Sequence, residues 1–279
     1  MPSRGSVTVS APRTRLIANW ELIWNLTLRE LRTKFNRSSL GFAWSLLNPL
    51  VSLGVYAAVF AVFLRVEPPV GRHSGLHNYA FFLVSGLIAW NFVSNAVTGS
   101  VHTMIANAGL IQKVAFPRHV LPLATVLSWL VTFLIELSVL LVALAFVGNI
   151  TLPWLPGVVL VLVLQVGFIT GLALALSVLN VYMRDIEHLS ALGLNVWFFL
   201  TPIVYPIDII EQDVGGIAAA DLLRLNPMTQ FVEAYRDLLY HLQYPSPARL
   251  AALVAASATS LAVGWAIFRR LEPRLAEEL

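Results

Sequence analysis

The chain has 279 residues, of which 58 % are hydrophobic and only 12 % charged, with a formal net charge of +3. A water-soluble domain carries about a quarter charged residues, so a soluble globular fold is excluded and an integral membrane protein is expected. The lack of any cysteine removes disulfides, thiolate metal sites and cysteine nucleophiles from consideration.

The first 14 residues, MPSRGSVTVSAPRT, are basic and rich in small residues, and no apolar run follows them directly. They read as a short disordered lead, not as a cleaved signal peptide. Residues 15–37 predict an amphipathic helix lying on the membrane surface. Ile17, Trp20, Trp24, Leu28, Leu31 and Phe35 recur every three or four residues as one apolar stripe. Glu21, Asn25, Arg29, Arg32 and Asn36 make a polar stripe beside it. Tryptophans on such a stripe suit the headgroup boundary. Arg29, Arg32, Lys34 and Arg37 form a basic cluster with two readings. One is an anchor that keeps this end cytoplasmic. The other adds a phosphate or pyrophosphate headgroup held by arginine forks and a lysine point charge.

Six apolar segments follow, which is what the length has room for at about 20 residues per span. They run over 40–64, 79–104, 120–147, 156–181, 189–205 and 248–268. The first is interrupted by Asn48-Pro49, and the fifth carries Thr201-Pro202 and Tyr205-Pro206 at its far end. With both termini on one side, that side holds thirteen Lys and Arg residues against five on the other. Both termini are therefore expected in the cytoplasm. Residues 15–268 are expected to form one six-span membrane domain, with 207–247 its external segment and 269–279 a cytoplasmic tail. In the external segment Asn226 is placed to cap a helix that starts at Pro227. Met228, Phe231, Tyr235, Leu238 and Leu242 give that helix an apolar stripe too short to span.

Signatures of covalent chemistry are missing: there is no G-x-x-x-x-G-K-[ST], H-E-x-x-H, G-x-S-x-G or G-x-G-x-x-G. His73 and His77 stand beside Gly71 and Gly75 and read as loop histidines, not metal ligands. No catalytic residue and no bound metal or cofactor are expected. Glu136 lies in the middle of the third span, where an ionisable group implies a buried partner or a substrate contact. Asn91, Asn95 and Thr98, with His102, line one face of the second span. They either bond to neighbouring helices or border a water-filled passage wide enough for sugars. Asp185 and Glu187 are expected to pair with the basic surface helix or with a partner protein. Residues 107–122, NAGLIQKVAFPRHVLP, predict a short cytoplasmic helix ending before Pro117. Its Leu110, Ile111, Val114, Ala115 and Phe116 make an apolar knob for a protein partner or for the bilayer surface.

Five blocks carry a family resemblance: R-x-K-F-x-R-S-x-L-G-F-A-W-S-L-L-N-P from Arg32, L-I-Q-K-V-A-F-P-R-H-V-L-P from Leu110, Y-M-R-D-I from Tyr182, T-P-I-V-Y-P from Thr201 and N-P-M-x-x-F-V-E-A-Y-R from Asn226. In this order the chain resembles the membrane subunit of type-2 ABC exporters of the polysaccharide and polyol-phosphate group (Wzm type), which export O-antigen, teichoic acid or galactan. The resemblance implies an all-α polytopic fold with six transmembrane helices, an interface helix, a coupling helix and external re-entrant gate helices. It implies a homodimer in a bacterial inner membrane, served by two cytoplasmic ATPase subunits that bind ATP and Mg. The cargo would be an undecaprenyl- or decaprenyl-diphosphate-linked glycan, and no nucleic acid is involved. Leu110, Ile111, Gln112, Lys113, Val114, Phe116, Pro117 and Arg118 would couple to the ATPase. Thr201, Pro202, Tyr205, Pro206, Asn226, Pro227 and Arg236 would form the external gate. His119 departs from the family, which more often has an acidic or polar residue there. A type-2 permease for drugs or lipids is the rival within transport. A polyprenyl-dependent glycosyltransferase is the rival among enzymes, and it would need clustered carboxylates such as D-x-D, which the chain lacks.

Overall fold

The computed structural model describes residues 12–35, 70–207, 213–214 and 217–279, with single positions at 47, 50, 51, 54, 55, 58 and 59 between the first two stretches. The first expected span, Asn48-Pro49 within it, and Arg37 lie outside the described residues except for those single positions. Helix α1 is Pro12–Phe35, α2 Tyr79–Ala106, α3 Ala108–Lys113 and α4 Val120–Phe146. A 3-10 turn at Leu152–Trp154 leads into α5, Leu155–Tyr182, followed by α6, Ile186–Phe199. Then come α7, Ala219–Leu225, α8, Pro227–Leu239, α9, Pro247–Leu271, and α10, Leu275–Glu278. Besides helices and the loops that join them, the described residues hold one antiparallel pairing, of Asp213–Val214 with Ile217–Ala218.

Among the described residues, four stretches are long and apolar enough to cross a membrane: Tyr79–Ala106, Val120–Phe146, Leu152–Tyr182 and Pro247–Arg274. They correspond to the second, third, fourth and sixth expected spans. The fifth differs. Its helix, α6, starts at Ile186 and stops at Phe199 after 14 residues. At about 1.5 Å per residue that covers roughly 21 Å, short of the roughly 30 Å hydrocarbon layer. Pro202 and Pro206 explain the stop, because proline has no N–H and bars its preceding residue from helix. The chain instead turns through Thr201–Pro206 toward the external face.

Local signals set the other boundaries. Asn78 starts α2 by accepting a hydrogen bond from the Ala80 N–H at 3.0 Å. Asn226 starts α8 by accepting from the Met228 N–H at 2.9 Å, with Pro227 at the first position. Helix α8 ends at Leu239, so the stripe expected to reach Leu242 is cut short. Leu242 takes the left-handed conformation at φ 53, which ends the helical register.

Helix α2 is the hub. Its Phe82, Leu83, Ala89, Val93 and Val97 are buried in the main core, which also takes in Phe133 of α4, Ile169 of α5 and Phe231 and Tyr235 of α8. A second cluster joins Leu26, Met104, Ile111, Val120, Val178, Phe268 and Leu275. Helices α5 and α9 form the most extensive pairing. Ser257 and Ser260 donate to the carbonyls of Leu164 and Phe168, each at 2.7 Å. Such bonds between helices replace the hydrophobic drive that lipid does not supply. At Gly171 and Gly264 the two backbones touch: a Cβ on Gly264 would collide with the Gly171 carbonyl.

Candidate functional site

The expected site residues fall in four places: along α1, around the α2–α3–α4 junction, on the polar face of α2 with Glu136 of α4, and around the turn after α6. On α1 the packed face is not the tryptophan stripe. Leu26 and Thr27 are buried against α4, whereas Trp20 and Trp24 are 61 % and 49 % exposed. The stripe thus faces away from the protein, where a bilayer surface would meet it. Arg29 donates from Nη2 to Asn107 Oδ1 at 2.6 Å, and Asn107 donates from Nδ2 to the Thr103 carbonyl at 2.8 Å. This ties α1 to the α2–α3 junction. Lys34 donates to Ser128 Oγ at 3.0 Å and sits 3.3 Å from the centre of the Trp129 ring. Burial lowers its pKa to about 7 against an opposing pull from Glu30. Of the four cations in the expected cluster, Arg32 is exposed without a hydrogen bond or ion pair to any described residue.

Helix α3 stops at Lys113, and Val114 is extended at φ −130, ψ 130. The helix expected to continue to Pro117 is therefore shorter, and 114–117 form an extended strap. A β-branched Val114 and the steric demand of Pro117 on Phe116 both oppose helix there. Ile111 is buried and Val114 is 51 % exposed, so the segment has an inner anchor and an outer apolar tip. A groove of about 560 Å³ runs beside it, bordered by Ile111, Lys113, Val114, Phe116, Arg118 and Glu272. His119 packs its ring 5.4 Å from that of Trp265, and burial lowers its pKa. A ring that sits on aromatics has no need of the acidic or polar character common in the family.

Glu187 turns to α2 rather than to the surface helix, meeting His102 Nδ1 at 3.4 Å. Asn95 and Thr98 are exposed on the same helix, and Asn91 is half-buried. Glu136 is half-buried and has no ion pair with any described residue. The structure does not bring Glu136 together with those three side chains through any hydrogen bond among the described residues.

Around the turn after α6 the expected gate residues converge. Arg236 is fully buried and donates to the carbonyls of Pro202 at 2.7 Å, Ile203 at 2.5 Å and Phe82 at 3.3 Å. It also binds Glu233 Oε1 at 2.8 Å. Gly86 makes room for it, since a Cβ there would lie 3.3 Å from Arg236 Nη2 and 2.9 Å from Val232. Asn226 accepts from Trp197 Nε1 at 2.8 Å and donates to the Leu200 carbonyl at 3.1 Å and Thr201 Oγ1 at 3.0 Å. Tyr205 donates to the Phe199 carbonyl at 3.2 Å, and Tyr79 donates to that of Val204. The turn after α6 is thereby bolted to α2 and α8. The polar face of α8 opens outward on a cavity of about 630 Å³ bordered by Arg72, Gln230, Glu233, Asp237 and Arg249.

Sequence reasoning passed over Gln165, which accepts from Tyr235 at 2.8 Å and donates to the Ala89 carbonyl at 2.8 Å. An amide in the midst of the apolar run of the fourth span was the available signal. It also passed over Asn180, which bridges the Val101 carbonyl and the Glu187 N–H.

Comparison with known proteins adds a family. Residues 21–240 match the description ABC-2 type transporter. The chain is 33 % identical over 264 residues to an O-antigen export system permease protein RfbA of Klebsiella pneumoniae, covering 93 % of this chain and 95 % of that one. It is 31 % identical to a protein of the same description from Myxococcus xanthus, over 92 % of this chain and 95 % of that one. A polysialic acid transport protein KpsM of Escherichia coli is 24 % identical over 88 % of this chain and 92 % of its own length.

Proposed function

The chain belongs to the ABC-2 type transporter family, and on that footing we propose that it is the membrane-spanning subunit of an ATP-driven exporter of lipid-linked polysaccharide. The observation that carries the reading is the end-to-end match to permeases described as exporting O-antigen. The two-ended layout of the fold supports it. An apolar tip at Val114 projects from the cytoplasmic end, and a bolted turn at Thr201–Pro206 closes the other.

The chain supplies the wall and not the energy. A cytoplasmic ATPase, two copies per assembly, binds Mg-ATP and presses on Leu110–Arg118. Helices α2 and α4 flank that segment and carry its displacement through the membrane. Two copies of this chain enclose the passage. The stripe of Leu189, Leu192, Val196 and Phe199 on α6, between 51 % and 75 % exposed, supports a second copy as its cover. Both termini face the cytoplasm of a bacterial inner membrane. The diphosphate of a polyprenyl-linked glycan is met by Arg32 and Arg37 of the basic cluster, while Arg29 and Lys34 tie α1 to its neighbours.

The test is reconstitution with an ATPase partner and labelled lipid-linked glycan in proteoliposomes. ATP-dependent appearance of glycan in the lumen is expected. Arg32→Ala should slow it about tenfold, the size of one lost charge-assisted contact, with assembly unchanged. Transport of apolar drugs or plain lipids in place of glycan would overturn the reading, and so would glycan movement without any ATPase.

A further inference from the structure

The segment after α9 does not hang free. Glu272–Arg274 form a 3-10 turn and Leu275–Glu278 the short helix α10, which lies against α3 and α5. Leu275 is fully buried in the second cluster with Ile111, Val120 and Phe268, and Phe116, Leu271 and Leu279 pack around it. Two hydrogen bonds close the joint. Arg118 Nη1 donates to the Glu272 carbonyl at 2.5 Å, and the Tyr182 hydroxyl donates to the Leu271 carbonyl at 2.7 Å. Glu272 also forms one wall of the groove beside the strap. The tail is thus the floor on which the coupling segment rests.

We propose that the coupling segment 107–118 seats the ATPase on the support that residues 271–279 give it from below, and that Leu275, fully buried and out of the ATPase's reach, passes its stroke to α9. The occupant is the ATPase because the groove continues the surface on which the proposed function already places it; the inference rests on that reading. Lys113 and Arg118 border the groove together with Glu272, so the matching partner face is amphoteric around an apolar socket for Val114. Pressure on Val114 reaches α2 and α4 through the chain itself. It reaches α9 through Ile111, Phe116 and the Arg118–Glu272 bond onto the tail, beside the ring contact of His119 with Trp265.

The experiment uses the full permease–ATPase complex in proteoliposomes with labelled lipid-linked glycan. Leu275→Asp should leave the ATPase bound and hydrolysing, while glycan moved per ATP falls about tenfold, a change within the reach of coupling-network mutations. Leu275→Met should restore it. Unchanged transport in Leu275→Asp overturns the proposal, and so does loss of ATPase binding in step with transport, which would mean simple docking. Should Leu275→Asp fail to fold, cysteines at Ile111 and Leu275 decide, in a chain that otherwise has none. If the seat moves as one body, the oxidised pair keeps transport. A block on oxidation that reductant reverses, or no cross-link at all, overturns it. A wild-type complex that binds ATPase but moves no glycan defeats the functional reading instead, before any variant is compared.

Discussion

The guanidinium of Arg236 lies 3.7 Å from the centre of the Phe82 ring, so that a buried cation, an aromatic face and three backbone carbonyls share one small space. The planar fork of arginine serves several acceptors at once, which the compact ammonium of lysine does not. Removing the cation strands the carbonyls of Pro202, Ile203 and Phe82 together with the Glu233 carboxylate. Breaking a buried pair in this way costs about 3–5 kcal/mol. Arg236→Gln should therefore lower the unfolding midpoint in detergent steeply, with Arg236→Lys in between. A midpoint unchanged in Arg236→Gln would show that the bolt carries no load.

Asn226 joins the end of α6 to the start of α8 through both halves of its amide. Asn226→Asp keeps the acceptor for Trp197 and the Met228 N–H but has no donor for the Leu200 carbonyl. Asn226→Ala loses everything, including a cap that alone is worth about 0.5–2 kcal/mol. Thermal midpoints should rank Asn above Asp above Ala. An alanine variant as stable as the native chain would contradict the role.

Lys34 gives a dependence on pH whose sign is fixed. Its folded pKa is near 7, against about 10.4 for an unfolded lysine. Between these values the unfolded chain binds the extra proton, so stability rises as pH rises through that window and is flat below it. Lys34→Met removes the titration. The difference in unfolding midpoint, native minus Lys34→Met, should climb from about pH 7 toward pH 10. A difference that stays level across that window would count against it.

The spans at Tyr79–Ala106, Val120–Phe146 and Leu155–Tyr182 were legible because an unbroken apolar run has one reading at membrane length. The Asn226 cap was legible because its chemistry is local. What tertiary contact decides was not legible. In a membrane both the lipid side and the protein side of a helix are apolar, so periodicity on α1 finds a stripe without saying which way it points. Trp20 and Trp24 turned outward while Leu26 and Thr27 turned in. Arg29 and Lys34 counted equally with Arg32 as cations, yet Asn107 and Ser128, which hold them, lie 78 and 94 residues away in the chain. Leu275 stood in a charged tail whose pattern promised nothing buried.

Backbone contact at Gly171 and Gly264 leaves no cushion of side chains between α5 and α9. Elsewhere in the bundle, rotamer changes can absorb a small shift; at this seam nothing is compressible, and the two helices must tilt together as a strut. Whatever nudges the foot of α9 at Phe268 is therefore delivered to Arg249 at its head, about 30 Å away at the usual helical rise. There Arg249 grips Asp237 of α8, and the leverage lands on the helix that carries Arg236.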